Sequence, residues 1–293
     1  RDLHRLIRRQ RQMCIRDRGN IYVTDGGTRR LSVFDTSYRF RYSFIISGGH
    51  PTPFVIRVAD NAIFMAAINR IAALSEEGEI LIKRRSTLLN KYTTSGRFLK
   101  TFFDLPKIVR GTALEGALCY CYFDTYKNSI FAVLNFEYRI YVFDLNGNLL
   151  RTFGKPPEYF RTLKRGNIPD RKKWRLLSFD KMGEFLGSFC KPAGICSIDN
   201  FVILVVEMPR KNYHSSDLSD RWFKIDIYRT NGKFLVSGVS TKYFLMCSDD
   251  EGYIYFAKEI NYGDDKTLPK YTIGKYRLRE QILKHYELSS WKK

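Results

Sequence analysis

The chain has 293 residues, 44% apolar and 15% aromatic, and 50 Lys+Arg against 30 Asp+Glu leave a formal charge of +20. That apolar content is enough for a sizeable core and excludes a disordered or collagen-like chain. The longest unbroken apolar stretch, Phe201–Val206, falls far short of a bilayer span, so no transmembrane segment is expected.

The first eighteen residues are basic and begin without Met. The run Met13-Cys14-Ile15-Arg16-Asp17-Arg18 is what ATG TGT ATA AGA GAC AGN encodes, the mosaic end of a transposase used to fragment DNA for sequencing. Residues 1–18 are therefore read as an adapter remnant fused to an N-terminally truncated gene, and such scars are set aside in fold reasoning. The rival reading is a basic amphipathic helix with Leu3, Leu6 and Ile7 on one face. Removing 1–18 takes away seven Arg and two Asp and leaves +15, so the basic character survives.

From residue 19 onward the chain repeats. Arg30–Tyr38, Arg70–Gly78, Arg139–Gly147, Arg175–Gly183 and Lys224–Gly232 share a basic residue eight positions before a turn, Leu or Ile next to it, and alternation between. Thr272–Glu280 is a more degenerate sixth copy. Four of the first five place Gly at the turn (Gly78, Gly147, Gly183 and Gly232), where it reaches a positive φ cheaply. A hairpin precedes each unit. Its turns are read at Gly19-Asn20, Asp60-Asn61, Asp124 to Asn128, Asp199-Asn200 and Asp249 to Gly252. Two hairpins per unit make a four-stranded antiparallel meander, and the spacing suits propeller blades. The expected fold is an all-β, six-bladed β-propeller over residues 19–288, with 289–293 as a tail. The stretch Lys91–Phe103 is a further hairpin that follows Gly78 too closely for a blade of its own; it is an insertion or part of a seventh blade.

GNIYVTDGGTRRLSVFD (19–35) and NSIFAVLNFEYRIYVFDLNGNLLRTFGKPPEY (128–159) resemble NHL-type repeats and the bacterial six-bladed propellers related to them. A Gly-x-x-Pro step follows the outer strand at Gly48 to Pro51 and at Gly154 to Pro157. The resemblance implies the fold strongly and the activity weakly, because such propellers include lyases, lactonases, RNA-binding and protein-binding modules. It also implies an exported or lipid-anchored protein.

In an a–b–c–d meander the b→c and d→a connections leave one face, and the other turns leave the opposite one. The repeated cations Arg30, Arg70, Arg139, Arg175 and Lys224 open strand c on the first face. There they serve the repeat structurally; Arg30, for instance, can reach Asp25. The connection Lys155–Arg175 lies on the same face and carries eight basic residues against two acids. Within it Arg161, Lys164, Arg165, Arg171, Lys172, Lys173 and Arg175 form the candidate anion- or partner-binding surface. Tyr159 and Trp174 among them are available to stack a ring. The bland alternative is a solvated loop. Asp60, Asp124, Asp199, Asp249, Asp250 and Glu251 are placed in turns of the opposite face.

Catalytic signatures are scarce. His50, His214 and His285 are scattered, the cysteines show no Cys-x-x-Cys pair, and no phosphate-binding glycine loop occurs. No metal, cofactor or catalytic residue is assigned. Glu207 and Glu259 are the carboxylates a lactonase-like channel site would draw on. The reading is a non-catalytic, monomeric binding module that engages an acidic protein, a glycan or another anionic partner through its basic face or the channel mouth. A propeller hydrolase or lyase is the alternative, and NHL-like binding of RNA, or nucleic acid generally, is less favoured.

Overall fold

A computed structural model describes residues 11–15, 20–25, 28, 30–46, 55–66, 72–74, 80–82, 87–110, 112, 121–210, 221–249, 251–260 and 270–278. Its first sheet joins β1 (Arg11–Ile15), β2 (Ile21–Asp25), β3 (Arg30–Phe34) and β4 (Phe40–Ile45) in sequence order. The second joins β5 (Val55–Ala59) and β6 (Ala62–Ala66) to β9 (Thr87–Thr93) and β10 (Phe98–Asp104). Between β6 and β9, β7 (Ala72–Leu74) and β8 (Ile80–Ile82) form a separate two-stranded hairpin. The third contains β11 (Cys121–Tyr126), β12 (Ser129–Leu134), β13 (Glu137–Asp144) and β14 (Leu149–Phe153). The fourth contains β15 (Lys191–Ile198), β16 (Phe201–Glu207), β17 (Phe223–Arg229) and β18 (Phe234–Thr241). The fifth has three strands, β19 (Phe244–Ser248), β20 (Tyr253–Ile260) and β21 (Lys270–Arg277).

These are antiparallel propeller blades, but among the described residues there are five of them, not six. Two units of the sequence repeat account for the difference. The stretch Lys91–Phe103 is the outer hairpin of the second blade, turning at Gly96, and not an insertion. The insertion is the β7–β8 hairpin, which holds part of the Arg70–Gly78 unit; Arg70 and Gly78 themselves lie outside the described residues. Arg175–Gly183, expected as strand c of a fourth blade, is helical: α1 covers Arg171–Leu176 and α2 covers Phe179–Gly187. Residues 11–15 fill the first strand of the first blade, paired from Arg11↔Asp25 to Ile15↔Ile21. Backbone pairing demands only an extended segment there.

The chain divides into two compact units, Arg1–Cys121 with Phe143–Leu149, and Tyr122–Val142 with Leu150–Lys293. In each, the core lies between facing blades. Leu31 and Val33 of β3 meet Ile56, Val58, Ile63 and Met65 in the first unit. In the second, Phe131, Val133, Ile140 and Val142 meet Ile195, Val202, Leu204 and Val206. A continuous apolar run such as Phe201–Val206 is buried along its whole length because blades cover both faces. Outer strands such as β14 stay largely exposed.

The turns explain much of the repeat. Asp60, Asn61, Lys127 and Asp199 adopt positive φ at the inner turns, as two-residue hairpins require. At the outer turns an Asp closes the loop: Asp35 accepts from the backbone N–H of Arg39, and Asp144 from that of Asn148. Gly96, Gly147 and Gly232 follow at φ of 91°, 77° and 95°. Each is pressed against a phenylalanine of the preceding blade's outer strand, Phe44, Phe102 and Phe153 respectively. A Cβ at Gly147 would stand 2.7 Å from the Phe102 ring, so shape as well as φ selects glycine. Phe44, Phe102 and Phe153 thus act as a repeated aromatic wedge at three successive blade seams.

Candidate functional site: a helical insert pinned on a buried charge cluster

The connection from β14 to β15 is where the expected binding surface lies, and it is an ordered insert rather than a loop. After a single 3-10 turn at Arg165–Asn167, Asp170 caps α1 by accepting from the Lys173 N–H at 2.8 Å. Ser178 caps α2 by accepting from the Lys181 N–H at 3.3 Å, with Asp180 in the first turn. The apolar side of the insert is closed by Trp174 against Phe185 (ring centroids 5.7 Å) and Phe185 against Phe189 (5.6 Å). Phe160, Leu163 and Ile168 of the same connection are buried.

Arg161, Lys164, Lys172 and Lys173 are exposed on this insert. None of the four makes an ion pair among the described residues. Arg165 lies in the 3-10 turn, and Arg171 and Arg175 lie in α1. The two aromatics expected to stack a ligand are instead committed to packing. Trp174 sits against Phe185, and the Tyr159 hydroxyl donates to the Asp226 carboxylate while Lys224 Nζ lies 5.3 Å over its ring. Gly183, expected at a hairpin turn, is buried within α2.

The structural cations of the repeat do not share one partner. Arg30 donates to Ser43 Oγ at 2.8 Å, Arg139 stands 3.5 Å from Glu137, and Lys224 Nζ donates to the Gly238 carbonyl at 3.2 Å.

Beneath the insert lies a feature that motif reading passed over. Lys191 and Glu207 face each other in the β15–β16 register, and both are buried. One Glu207 oxygen takes two guanidiniums, Arg221 at 3.2 Å and Arg210 at 3.4 Å. Lys191 Nζ donates to the Leu186 carbonyl at 2.6 Å, in the last turn of α2. The Arg210 backbone N–H caps the next carbonyl, Gly187, at 2.9 Å. Burial lowers the Lys191 ammonium to about 8 against the opposing pull of Glu207, with Arg210 adding to the lowering. Glu207 is therefore occupied by cations rather than presented at a channel mouth. Its signal in the sequence was an acid closing the apolar run Phe201–Val206.

A second polar network joins the insert to the fourth blade. Asp226, fully buried on β17, accepts from the Tyr138 and Tyr159 hydroxyls and from the Gly238 N–H at 2.7 Å. The Tyr138 and Tyr228 hydroxyls lie 2.8 Å apart. Burial together with the neighbouring carboxylate raises the Tyr138 and Tyr159 phenols well above their ordinary range, and burial brings Tyr228 to about 12.

Asp124, expected in an exposed turn, is buried within β11; the turn itself falls at Lys127-Asn128. Its carboxylate accepts from the Ser197 N–H at 2.8 Å and lies 3.4 Å from Ser248 Oγ, tying together the first strands of three blades. Cys121, Cys190, Cys196 and Cys247 are free thiols. No group of metal-ligating side chains occurs among the described residues. Among them, too, no helix is long and apolar enough to cross a membrane.

No family model matches the chain. A stretch of 145 residues, 48% of the chain, is 24% identical to the protein brain tumor of Drosophila melanogaster and spans 12% of that protein's length. The crystal structure of a DUF4221 family member from Bacteroides vulgatus is similar with a TM-score of 0.53 at 13% identity, over 83% of this chain and 70% of the other. A gluconolactonase from Xanthomonas campestris gives 0.45 at 9% identity, over 83% of this chain and 67% of its own. The blade sheets and the first of these structural likenesses together establish the fold: the chain is a β-propeller.

Proposed function

We propose that the chain is a propeller binding module that engages an acidic protein or anionic glycan through the helical insert between its third and fourth blades. The observation that carries this reading is the pairing of exposed Lys164, Lys172 and Lys173, which make no ion pair among the described residues, with an insert whose far end is anchored on buried Lys191 and the backbone of Arg210. A solvated loop needs no such anchor. Cations held on capped helices lose less conformational freedom on binding, and a cluster of one sign raises encounter rates with polyanions.

The test compares the parent with Lys164→Glu/Lys172→Glu/Lys173→Glu for binding to heparin and to a single-stranded RNA across a salt series. The reading expects heparin affinity at least about tenfold weaker in the variant, with a shallower salt dependence. Equal affinity of parent and variant, or no heparin binding by the parent, overturns it. Tighter binding to RNA than to heparin moves the partner class to nucleic acid.

A further inference from the structure

The seam between the fourth and fifth blades departs from the others in one respect. Six residues after the turn position, Tyr38, Gly96 and Gly147 are each followed by the wedge phenylalanine, Phe44, Phe102 and Phe153. Six after Gly232 comes Gly238, at φ 71°. The register shows the same substitution. Phe44 stands opposite Leu31 and Phe102 opposite Leu89, whereas the equivalent Ile225 stands opposite Val239. A register shift between Ile225 and Ile227 marks a bulge, which turns the Gly238 N–H onto Asp226.

With no aromatic wedge, this seam holds a cavity of about 380 Å³. Its walls include Ile225, Ile227, Val239, Ile254 and Phe256. Ser240 and Thr241 also line it, and so does Arg277, which lies over the Tyr253 ring and makes no ion pair among the described residues. Replacing Phe by Val accounts for only part of that space. The volume lies within the range of small-ligand sites, which are mostly apolar with a few polar groups at one end.

We propose that this cavity is a binding site for a small aromatic molecule bearing an anionic group. The ring takes the place that Phe44, Phe102 and Phe153 fill at the other seams, and Arg277 pairs with the anion. A second copy of the chain is the competing occupant.

The probe is 2-naphthoate, with neutral 2-naphthol for comparison, titrated calorimetrically into the whole chain. The parent is expected to bind 2-naphthoate with Kd below about 1 mM, given the ligand's size. Val239→Phe, which restores the wedge, should weaken both probes at least about tenfold. Arg277→Gln should weaken 2-naphthoate several-fold and leave 2-naphthol unchanged. If Val239→Phe does not fold, as judged by circular dichroism, that split between the two probes at Arg277→Gln decides alone. Absence of binding by the parent, undiminished binding by Val239→Phe, or equal loss of both probes at Arg277→Gln overturns the proposal. So does a dimer in sedimentation that Val239→Phe dissolves, which assigns the seam to self-association.

Discussion

Lys191 Nζ donates a 2.6 Å hydrogen bond to the carbonyl of Leu186, so a buried ammonium sits at the C-terminal end of α2. The last carbonyls of a helix carry partial negative charge and lack intrahelical donors. A strand residue from the fourth blade supplies one donor, and the Arg210 backbone supplies the other at Gly187. The insert is thus fixed to the blade at one helix end, while Arg161, Lys164, Lys172 and Lys173 are exposed along it. Two charges buried together need further partners, and Glu207 accepts a hydrogen bond from Arg221 and pairs ionically with Arg210.

This arrangement makes stability depend on pH in a definite direction. Lys191 titrates at about 8 in the folded chain and at 10.5 unfolded, so between these values the unfolded state binds more protons. Folding stability from this group therefore rises as pH increases from about 8 to 10.5, by about 3 kcal/mol at most, and is flat on either side. Buried Cys121 and the tyrosines pull the other way above pH 9, so the contrast with Lys191→Met isolates the effect. Chemical denaturation at several pH values should show the parent gaining on Lys191→Met across this window. A constant difference would mean that Lys191 is not desolvated.

The Asp226 network sets up a second contrast. Asp226→Ala leaves the Tyr159 hydroxyl and the Gly238 N–H without their acceptor, each at about 1–3 kcal/mol, while Tyr138 retains Tyr228. A total loss of about 2–6 kcal/mol is expected in equilibrium unfolding. Tyr138→Phe removes one donor and leaves the carboxylate bonded to Tyr159 and Gly238, so it should cost about 1 kcal/mol. If the two variants lose the same amount, Asp226 does not organise the network.

The parts of this fold that were legible in the sequence are those written in local turn chemistry. Asp144 with Gly147, Asn231 with Gly232, and the pairs Asp60-Asn61 and Asp199-Asn200 all turn where expected, because positive φ restricts residue choice. Arg175–Gly183 misled because a basic residue, Leu-Leu, Phe-Asp and Gly matched the strand pattern residue by residue. Asp170 and Ser178 were helix caps in plain view, and Met182 and Phe185 follow Ser178 at helical spacing. In the candidate site, exposed cations such as Lys172 and Lys173 could be read as exposed. The anchor could not, because Lys191 and Glu207 meet only through strand register, and Arg210 and Arg221 join them across an intervening stretch of chain. Tyr159 was visible as an aromatic among arginines, but its role depends on Asp226, which lies far away in sequence.

The wedge motif yields a prediction in which shape and backbone strain act together. At Gly147 a methyl group would meet the Phe102 ring at 2.7 Å, and φ of 77° disfavours any other residue. Gly147→Ala should therefore cost about 2–4 kcal/mol, from a left-handed conformation and from overpacking combined. At Gly166, in the insert's 3-10 turn, an added Cβ meets nothing within 4 Å and φ is not positive, so Gly166→Ala should fall within about 0.5 kcal/mol of the parent. Relieving the clash separates the two contributions. In Gly147→Ala/Phe102→Leu the steric part is removed and the strain remains, so the double variant should lose less than the two single variants summed, by about 1 kcal/mol or more. Strict additivity in urea unfolding would show that Phe102 and Gly147 do not press on one another, and that the repeated Phe-on-Gly contact is not what closes the blade seams.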